Sequence, residues 1–342
     1  MISTFWLALN YSCNNRCVYC YAEPMKFNSK VNMPLSYAFD VVRTMSLKQV
    51  KHCLLIGGEP TLYPSLIELI RFIKKNSEIQ IALVTNGRKL SLEDYVKKLI
   101  RAGLDRVVIS IEGSSEPIHN GIAQTKSYHQ TIKGIENCLN NNLPTTTITT
   151  INTLNLDDIF DVAKVMQKIG VKDIAYNCAT PLVSKEKISN TFVPHPAETA
   201  KRVEEIFYSC KDLGLRFNFN ATIPICLFSQ SALDEMMNSD SIAVGCQMYH
   251  GKGAVFDCFG KILPCTHFAD IPLFTETISD DSRFVYRNNF FELWENGEIP
   301  NQFREALWSY PSEKCKECKY WGGCIGGCPL LWSVYNPKLV IQ

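Results

Sequence analysis

Three cysteines stand within eight residues near the start of the chain: Cys13, Cys17 and Cys20, with spacers of three and then two residues. Three thiolates can hold three irons of a four-iron cluster and leave the fourth iron open to a ligand, whereas a cluster used only for electron transfer normally takes four cysteines. The bare spacing also admits a zinc site with a remote fourth ligand, or thiols that merely pack. A second group lies far along the chain, with Cys246 and Cys265 followed by Cys315, Cys318, Cys324 and Cys328 as C-x2-C-x5-C-x3-C. Runs of this kind hold iron–sulfur clusters or the zinc of ribbons and knuckles. Between the groups, the stretch LLIGGEPTLYP puts Gly57, Gly58, Glu59 and Pro60 after an apolar run. Glycines permit close backbone approach, and a carboxylate can receive a ligand ammonium. The same residues also spell an ordinary strand-to-helix turn, with Pro64 opening the helix.

These residues need elements to position them. From Phe5 to about Asn220 short apolar, β-branched runs alternate with segments of helical period, the pattern of repeated βα units and a parallel sheet. The strand candidates are Phe5 to Asn10, His52 to Ile56, Ile79 to Thr85, Arg106 to Ile111, Thr145 to Ile151 and Asp173 to Asn177. Ser91 with Asp94 reads as the capping pair of a helix carrying Val96 and Leu99 and ended by Gly103. Tyr128, Ile132, Ile135 and Leu139 mark another helix. Asn155 with Asp158 opens a third, which stops at Gly170, and Ala200, Val203 and Phe207 lie on a fourth, which stops at Gly214. The cysteine triad follows the first strand, at the carboxyl end where parallel α/β architectures bind ligands. Past about Leu215 the alternation fades and residues 222–342 become rich in Cys, Gly, Pro and aromatics, so a domain change is placed near there. Val255 to Pro264 predicts a hairpin turning at Gly260, and Asn289 to Trp308 a pair of short helices.

Charge and composition narrow the function. With 35 Lys and Arg against 34 Asp and Glu the net charge is +1, and no basic block marks a nucleic-acid partner. No apolar run approaches the roughly 18 residues of a membrane span, and the opening residues lack the basic-then-apolar order of a secretion signal. A cytoplasmic protein is the expectation. In that reducing compartment fifteen cysteines, an odd number, are not a disulfide framework.

C-x3-C-x2-C at the end of a first strand, with Gly-Gly-Glu-Pro one βα unit later, resembles the signature of the radical S-adenosylmethionine (radical SAM) enzymes. The resemblance spans roughly Phe5 to Asn220 and implies a partial (βα)6 TIM-like barrel over residues 1–220. It implies a four-iron cluster on Cys13, Cys17 and Cys20 whose open iron chelates S-adenosylmethionine. Reduction then cleaves that cofactor to methionine and a 5′-deoxyadenosyl radical, which takes a hydrogen atom from substrate; an external donor such as flavodoxin or ferredoxin is expected to supply the electron. By the same resemblance Gly57, Gly58, Glu59 and Pro60 receive the methionyl amino group and Tyr19 helps to seat the adenine. Thr85 and Asn86, in VTNG, match a further cofactor-binding pattern and read equally well as a satisfied polar turn. In VVISIEGSSEPIHNGIAQTKSY, Ser110 and Glu112 would face the ribose and methionyl region, or Glu112 would meet substrate. Here the chain departs from the family: Glu112 and Asn120 stand where Asp is usual, and Ile122 and Ala123 where Arg is expected.

The second cysteine group is similar to the SPASM extension of peptide-modifying radical SAM enzymes, which supports two auxiliary four-iron clusters. The extension, a small Cys-rich α+β domain, would occupy residues 221–342. By family pattern Cys246, Cys265 and Cys328 serve the first auxiliary cluster, and Cys315, Cys318 and Cys324 the second. Cys328 is the last cysteine in the sequence, so the second cluster is left with an open position. At ~3.3 Å per strand residue the hairpin sets Cys258 on the order of 13 Å from Cys265, too far to share a cluster unless the hairpin bends. A non-cysteine group, substrate or a residue lost by truncation would then complete the second site, or the region holds one cluster, as the shorter Twitch variant does. Cys53, Cys138, Cys178, Cys210, Cys226 and Cys258 read mostly as core, with Cys178 directed from the sixth strand end towards a barrel substrate, where it could donate hydrogen. Cys178 and Glu112 are thus the candidate catalytic residues.

The leading expectation is an enzyme that modifies a peptide or small protein, as a maturase does, by cross-linking, thioether formation, oxidation or epimerisation. The first strand begins near Phe5 with no peptide-recognition domain before it, which keeps open the dehydrogenation or epimerisation of a carbohydrate or aminocyclitol. A third reading, of another class, is a non-catalytic zinc-stabilised binding protein.

Overall fold

The apolar runs read as strands lie side by side in a single sheet. The computed structural model describes residues 2–25, 27, 30–185, 188–189, 191–275 and 277–341. Its strands are β1 (Thr4–Ala8), β2 (His52–Ile56), β3 (Gln80–Thr85), β4 (Arg106–Ser110), β5 (Thr145–Ile151), β6 (Asp173–Cys178), β7 (Leu182–Val183), β8 (Ile188–Ser189), β9 (Arg216–Ala221), β10 (Ile242–Val244), β11 (Gly253–Asp257) and β12 (Ile262–Leu263). Ten of them pair in the order β10-β9-β6-β5-β4-β3-β2-β1-β11-β12, while β7 and β8 form a small ladder of their own. Every pair in the large sheet is parallel except β11–β12, the expected hairpin, which turns at Gly260 in the left-handed conformation (φ 71°). The sheet therefore runs on past residue 220: β9 and β10 extend it at one edge and β11 pairs with β1 at the other.

Helices α1 (Leu35–Leu47), α2 (Leu66–Asn76), α3 (Glu93–Ala102), α4 (Glu116–Ala123), α5 (Tyr128–Asn140), α6 (Ile159–Ile169) and α7 (Pro196–Asp212) alternate with the strands. Beyond them lie α8 (Gln230–Asn238), the expected pair α9 (Phe290–Asn296) and α10 (Glu298–Leu307), and α11 (Pro337–Val340). Together they make an α/β partial barrel followed by a Cys-rich region. Two expected caps are absent. Ser91 belongs to a short 3-10 turn and its hydroxyl donates to the Arg88 carbonyl, so α3 starts after Leu92 without a side-chain cap. Asp158 accepts from the amide and hydroxyl of Ser114, and Asn155 bonds Asn152, so neither side chain caps α6. Pro64 stands two residues ahead of α2 rather than inside it.

Strand periodicity decides what each side chain can reach. Phe5 and Leu7 are fully buried against the helices, while Ala8, Ile56, Val255 and Leu263, with Trp6, Leu54 and Val84 against them, form a separate apolar cluster on the inner face. Carrying the register across β3 to β9 puts Ser110, Thr150, Asn177, Asn218 and Asn220 on that same inner face. One wall of the barrel is apolar and the other carries hydroxyls and amides. The Cys-rich region is tied down beyond the sheet as well: Arg283 donates to both oxygens of buried Asp40 on α1, at 2.7 and 2.8 Å, and Tyr37 bonds Thr277.

Candidate cluster and cofactor site

The first cysteine loop hangs on backbone hydrogen bonds to the end of β2 and to the last turn of α4. Gly58 N donates to Asn10 O (2.8 Å) and Glu59 N to Ser12 O (2.7 Å), while Arg16 N and Val18 N donate to the carbonyls of Ala123 and Ile122 at 2.9 and 3.0 Å. Gly57 and Gly58 are required by this packing, since a Cβ at Gly57 would lie 2.6 Å from Asn10 O and one at Gly58 would strike the carbonyls of Tyr11 and Ser12. Ile122 and Ala123, where an arginine was expected, thus serve through their backbone, which no side-chain pattern reveals. Burial raises all three thiols; Cys17 is held well above its ordinary value by burial and then by Glu112, Cys20 and Cys13, and Cys20 is pushed to about 12. The three sulfurs are close enough to repel one another as thiolates, and a cationic group between them would relieve that repulsion.

Glu59 is 1% exposed and ties two strand ends together. Its Oε1 accepts from Thr61 N (3.0 Å), Thr61 Oγ1 (2.6 Å) and Thr85 Oγ1 (2.6 Å), and its Oε2 from Asn86 N (2.8 Å). Thr85 and Asn86 are therefore engaged in holding the turn, with the Asn86 amide also reaching Asn14 (2.7 Å). Pro60 begins the short 3-10 turn that follows. Asn120 caps α5, its Oδ1 accepting from Ser127 N and Tyr128 N.

Glu112 is different. It continues the inner face from Ser110, is 3% exposed, and its Oε2 has no partner. Burial pushes its carboxyl up to about 7 against a hydrogen bond from Tyr19, whose own hydroxyl is raised well above its usual value by burial and then by Glu112. Asn10 Oδ1, Asn177 Oδ1 and Thr180 Oγ1 are likewise buried without partners. Unpaired polar atoms gathered at the carboxyl ends of the strands fit a polar ligand, since each costs free energy until it is bonded. Cys178 does not share this face. It pairs in register with Ile151 and follows Tyr176, whose hydroxyl bonds Ile159 at the start of α6, so period two turns Cys178 towards the helices and corrects the direction expected for it. Burial raises its thiol to about 12.

The C-terminal thiols divide into two sets. Cys328 is raised to about 12 by burial, with Cys265 and Cys246 adding to it. These three border a cavity of about 250 Å³ that also reaches Trp6 and Thr180. Cys315 is raised by burial and then by Cys324 and Cys318. Cys324 borders the same cavity as Cys246, Cys265 and Cys328. Cys258, buried at the hairpin, is raised by burial and Asp257 and belongs to neither. Cys226, expected in the core, is exposed instead. Between the two ends of the chain, the ring of Tyr21, next to Cys20, meets that of His267 at 6.2 Å, and His267 Nδ1 lies 3.6 Å from Cys265 Sγ. Among the described residues no three His, Cys, Asp or Glu side chains converge as for a single metal ion.

The comparisons with known proteins agree. The model of the radical SAM superfamily matches residues 8–166. A GTP 3′,8-cyclase of Clostridium perfringens is 30% identical over 214 residues, 61% of this chain and 65% of that protein. A probable GTP 3′,8-cyclase of Thermococcus kodakarensis is 28% identical over 49% of this chain and 54% of its own length. The matches thus span about half to two thirds of these curated relatives. Among solved structures, Streptococcus suis SuiB bound to precursor peptide SuiA superposes with a TM-score of 0.74 at 15% identity, covering 99% of this chain and 74% of SuiB. The protein anSMEcpe with bound AdoMet gives 0.71 at 19%, covering 99% and 94%. At these identities the likeness is one of fold, and it takes in the Cys-rich region. Residues 8–166 of this chain thus match a radical SAM domain.

Proposed function

We propose that this chain is a cytoplasmic radical SAM enzyme that modifies a peptide or small protein, with residues 1–220 as its barrel and 221–342 as a SPASM-type auxiliary-cluster domain. Cys13, Cys17 and Cys20 would hold the cluster that binds S-adenosylmethionine, and the two C-terminal thiol sets would hold auxiliary clusters. Bound there and reduced by a donor such as flavodoxin or ferredoxin, cluster and cofactor together supply a carbon radical that abstracts hydrogen. The chain's own part is positioning. Gly57 and Gly58 bring the second strand end against the cysteine loop, Glu59 braces Thr85 and Asn86, and Glu112 offers an unpaired carboxyl oxygen beside Tyr19 and Cys17. Held largely protonated below pH 7, that oxygen can donate to a ligand; above it, it accepts or meets a cation.

The observation that carries the peptide reading is the inner wall. Ser110, Thr150, Asn177 and Asn220 present hydroxyls and amides, the groups that pair with a peptide backbone, and no inner position at the carboxyl ends of β1 to β6 is Lys or Arg. A triphosphate would call for such cations. The likeness to SuiB and to anSMEcpe, both solved with peptides, extends over nearly the whole chain and supports the same reading. A small-molecule reading is favoured by the GTP 3′,8-cyclases, which match only part of the chain. The test is release of 5′-deoxyadenosine by anaerobic, reduced protein given S-adenosylmethionine with a peptide encoded beside this chain, with GTP, or with a sugar. Peptide-dependent release with a mass change on the peptide is expected; turnover with GTP or the sugar alone would sink the peptide reading.

A further inference from the structure

Cys226 lies on a 3-10 turn, Ile225–Leu227, just after β9. Ile225 and Phe228, three positions apart, are 2% and 6% exposed and take the buried side, which leaves Cys226 as the one exposed cysteine of the chain. The backbone before and after it is pinned to the C-terminal cysteine run. Cys328 N donates to Thr222 O at 2.6 Å. Gly327 has no room for a Cβ, which would fall 2.9 Å from the Pro224 ring and from Thr222 O. Gln230 Nε2 donates to Tyr320 Oη at 3.2 Å. So anchored, the Cys226 thiol sits in the field of Cys324, Cys315 and Cys318. Cys53, Cys138 and Cys210, the buried cysteines of the helical layer, have no thiol acting on them.

We propose that Cys226 is the fourth ligand of the Cys315, Cys318 and Cys324 site, closing a four-thiolate iron–sulfur centre from a part of the chain far outside the C-x2-C-x5-C run. The inference rests on the reading that the C-terminal thiols hold clusters. It closes the site that the spacing leaves open: with Cys226 that centre has four thiolates, as in clusters that only carry electrons, while Cys246, Cys265 and Cys328, beside the cavity, supply three. The four sulfurs need not meet at a point, since each binds a different corner of the cluster.

The test uses the thiol's exposure. Unligated, Cys226 is exposed and open to iodoacetamide, at the slow rate of a thiol that burial and its neighbours raise to about 11; ligated, it is protected by a further factor of about tenfold or more in rate relative to the same protein after the iron is chelated away. The anaerobic, iron-loaded full chain is alkylated and mapped by mass spectrometry before and after chelation, and iron is counted in the wild type and in Cys226→Ala. Protection of Cys226 with a loss of one to about four irons in the variant, or a three-iron paramagnetic signal, is the expected result. Rapid alkylation of Cys226 in the loaded wild type, with iron unchanged in the variant, overturns the proposal while leaving the enzyme reading intact. A wild type that takes up no iron overturns both.

Discussion

At the N-terminal site the three proposed ligands lie within eight residues of sequence, and the fold's task is to hold one loop: four backbone hydrogen bonds from β2 and α4 and two glycines without room for a side chain do it. At the C-terminal sites the thiols come from residues 226, 246, 265 and 315–328, and the fold's task is to bring segments together, through β11 against β1, Cys328 against Thr222 and Arg283 against Asp40. A contiguous site is written in spacing. An assembled one is written in contacts between segments, so its ligands follow no local pattern.

The comparison is broken most sharply by removing ligands. Changing Cys13, Cys17 and Cys20 together to Ala is expected to remove about four irons and all 5′-deoxyadenosine release while leaving the auxiliary clusters in place, read by iron analysis and electron paramagnetic resonance. Cys246→Ala and Cys318→Ala should each disturb a different auxiliary signal. If either variant abolished both signals, the two thiol sets would be one. Next in size is Gly58→Ala. The carbonyls of Tyr11 and Ser12 leave its methyl no space and cannot swing aside as a side chain would. Overpacking of this kind costs about 3 kcal/mol, and because the strain falls on the cysteine loop, the first cluster should be lost before the others. Equal loss of all clusters would show that the loop is not held locally. Glu112→Gln keeps the shape but removes the ionisable oxygen, and is expected to weaken S-adenosylmethionine binding by about tenfold with iron content unchanged. Unaltered affinity by calorimetry would place Glu112 outside the cofactor site.

Much of this architecture was legible. The strand candidates fall on β1 to β6 because strands buried on both faces are near-continuous in apolar and β-branched residues. The β9 segment, Arg216–Ala221, lies where the apolar alternation fades, yet its Phe217 and Phe219 alternate with Asn218 and Asn220, the period-two signature of a half-exposed strand. Ser91 and Asp158 failed as caps because nearer partners, the Arg88 carbonyl and Ser114, claim their side chains. The site divides in the same way. The cysteine triad and the Gly-Gly-Glu turn could be read, but the side to which Cys178 points depends on strand parity, and the neighbours of Cys226 depend on how two distant loops pack.

The smallest effect tests the seam between the two regions. Asp257, at the end of β11, is wholly buried; its Oδ1 accepts from Phe259 N and Lys261 N, and Tyr11, two residues before Cys13, donates its hydroxyl to Oδ2 at 3.2 Å. Burial raises the carboxyl to about 6, above its ordinary 3.8, in spite of those donors. A folded-state value above the unfolded one means that between pH 4 and 6 the native protein binds a proton that the unfolded chain has released. Stability must therefore fall as pH rises through that window, at most by about 1.4 kcal/mol per pH unit, and level off above it. Asp257→Asn keeps an oxygen for the two amides and has no charge to bury, so this contribution to the slope disappears. The difference in unfolding free energy between wild type and variant, followed by denaturant titration, should shift steadily against the wild type from pH 4 to about 6.5 and be constant beyond. Flat differences throughout would mean that Asp257 is no more buried than in the unfolded chain and that the hairpin is not seated on the cysteine loop. A difference that moved only together with loss of the first cluster would show instead that the seam is a support of the N-terminal site rather than a separate joint.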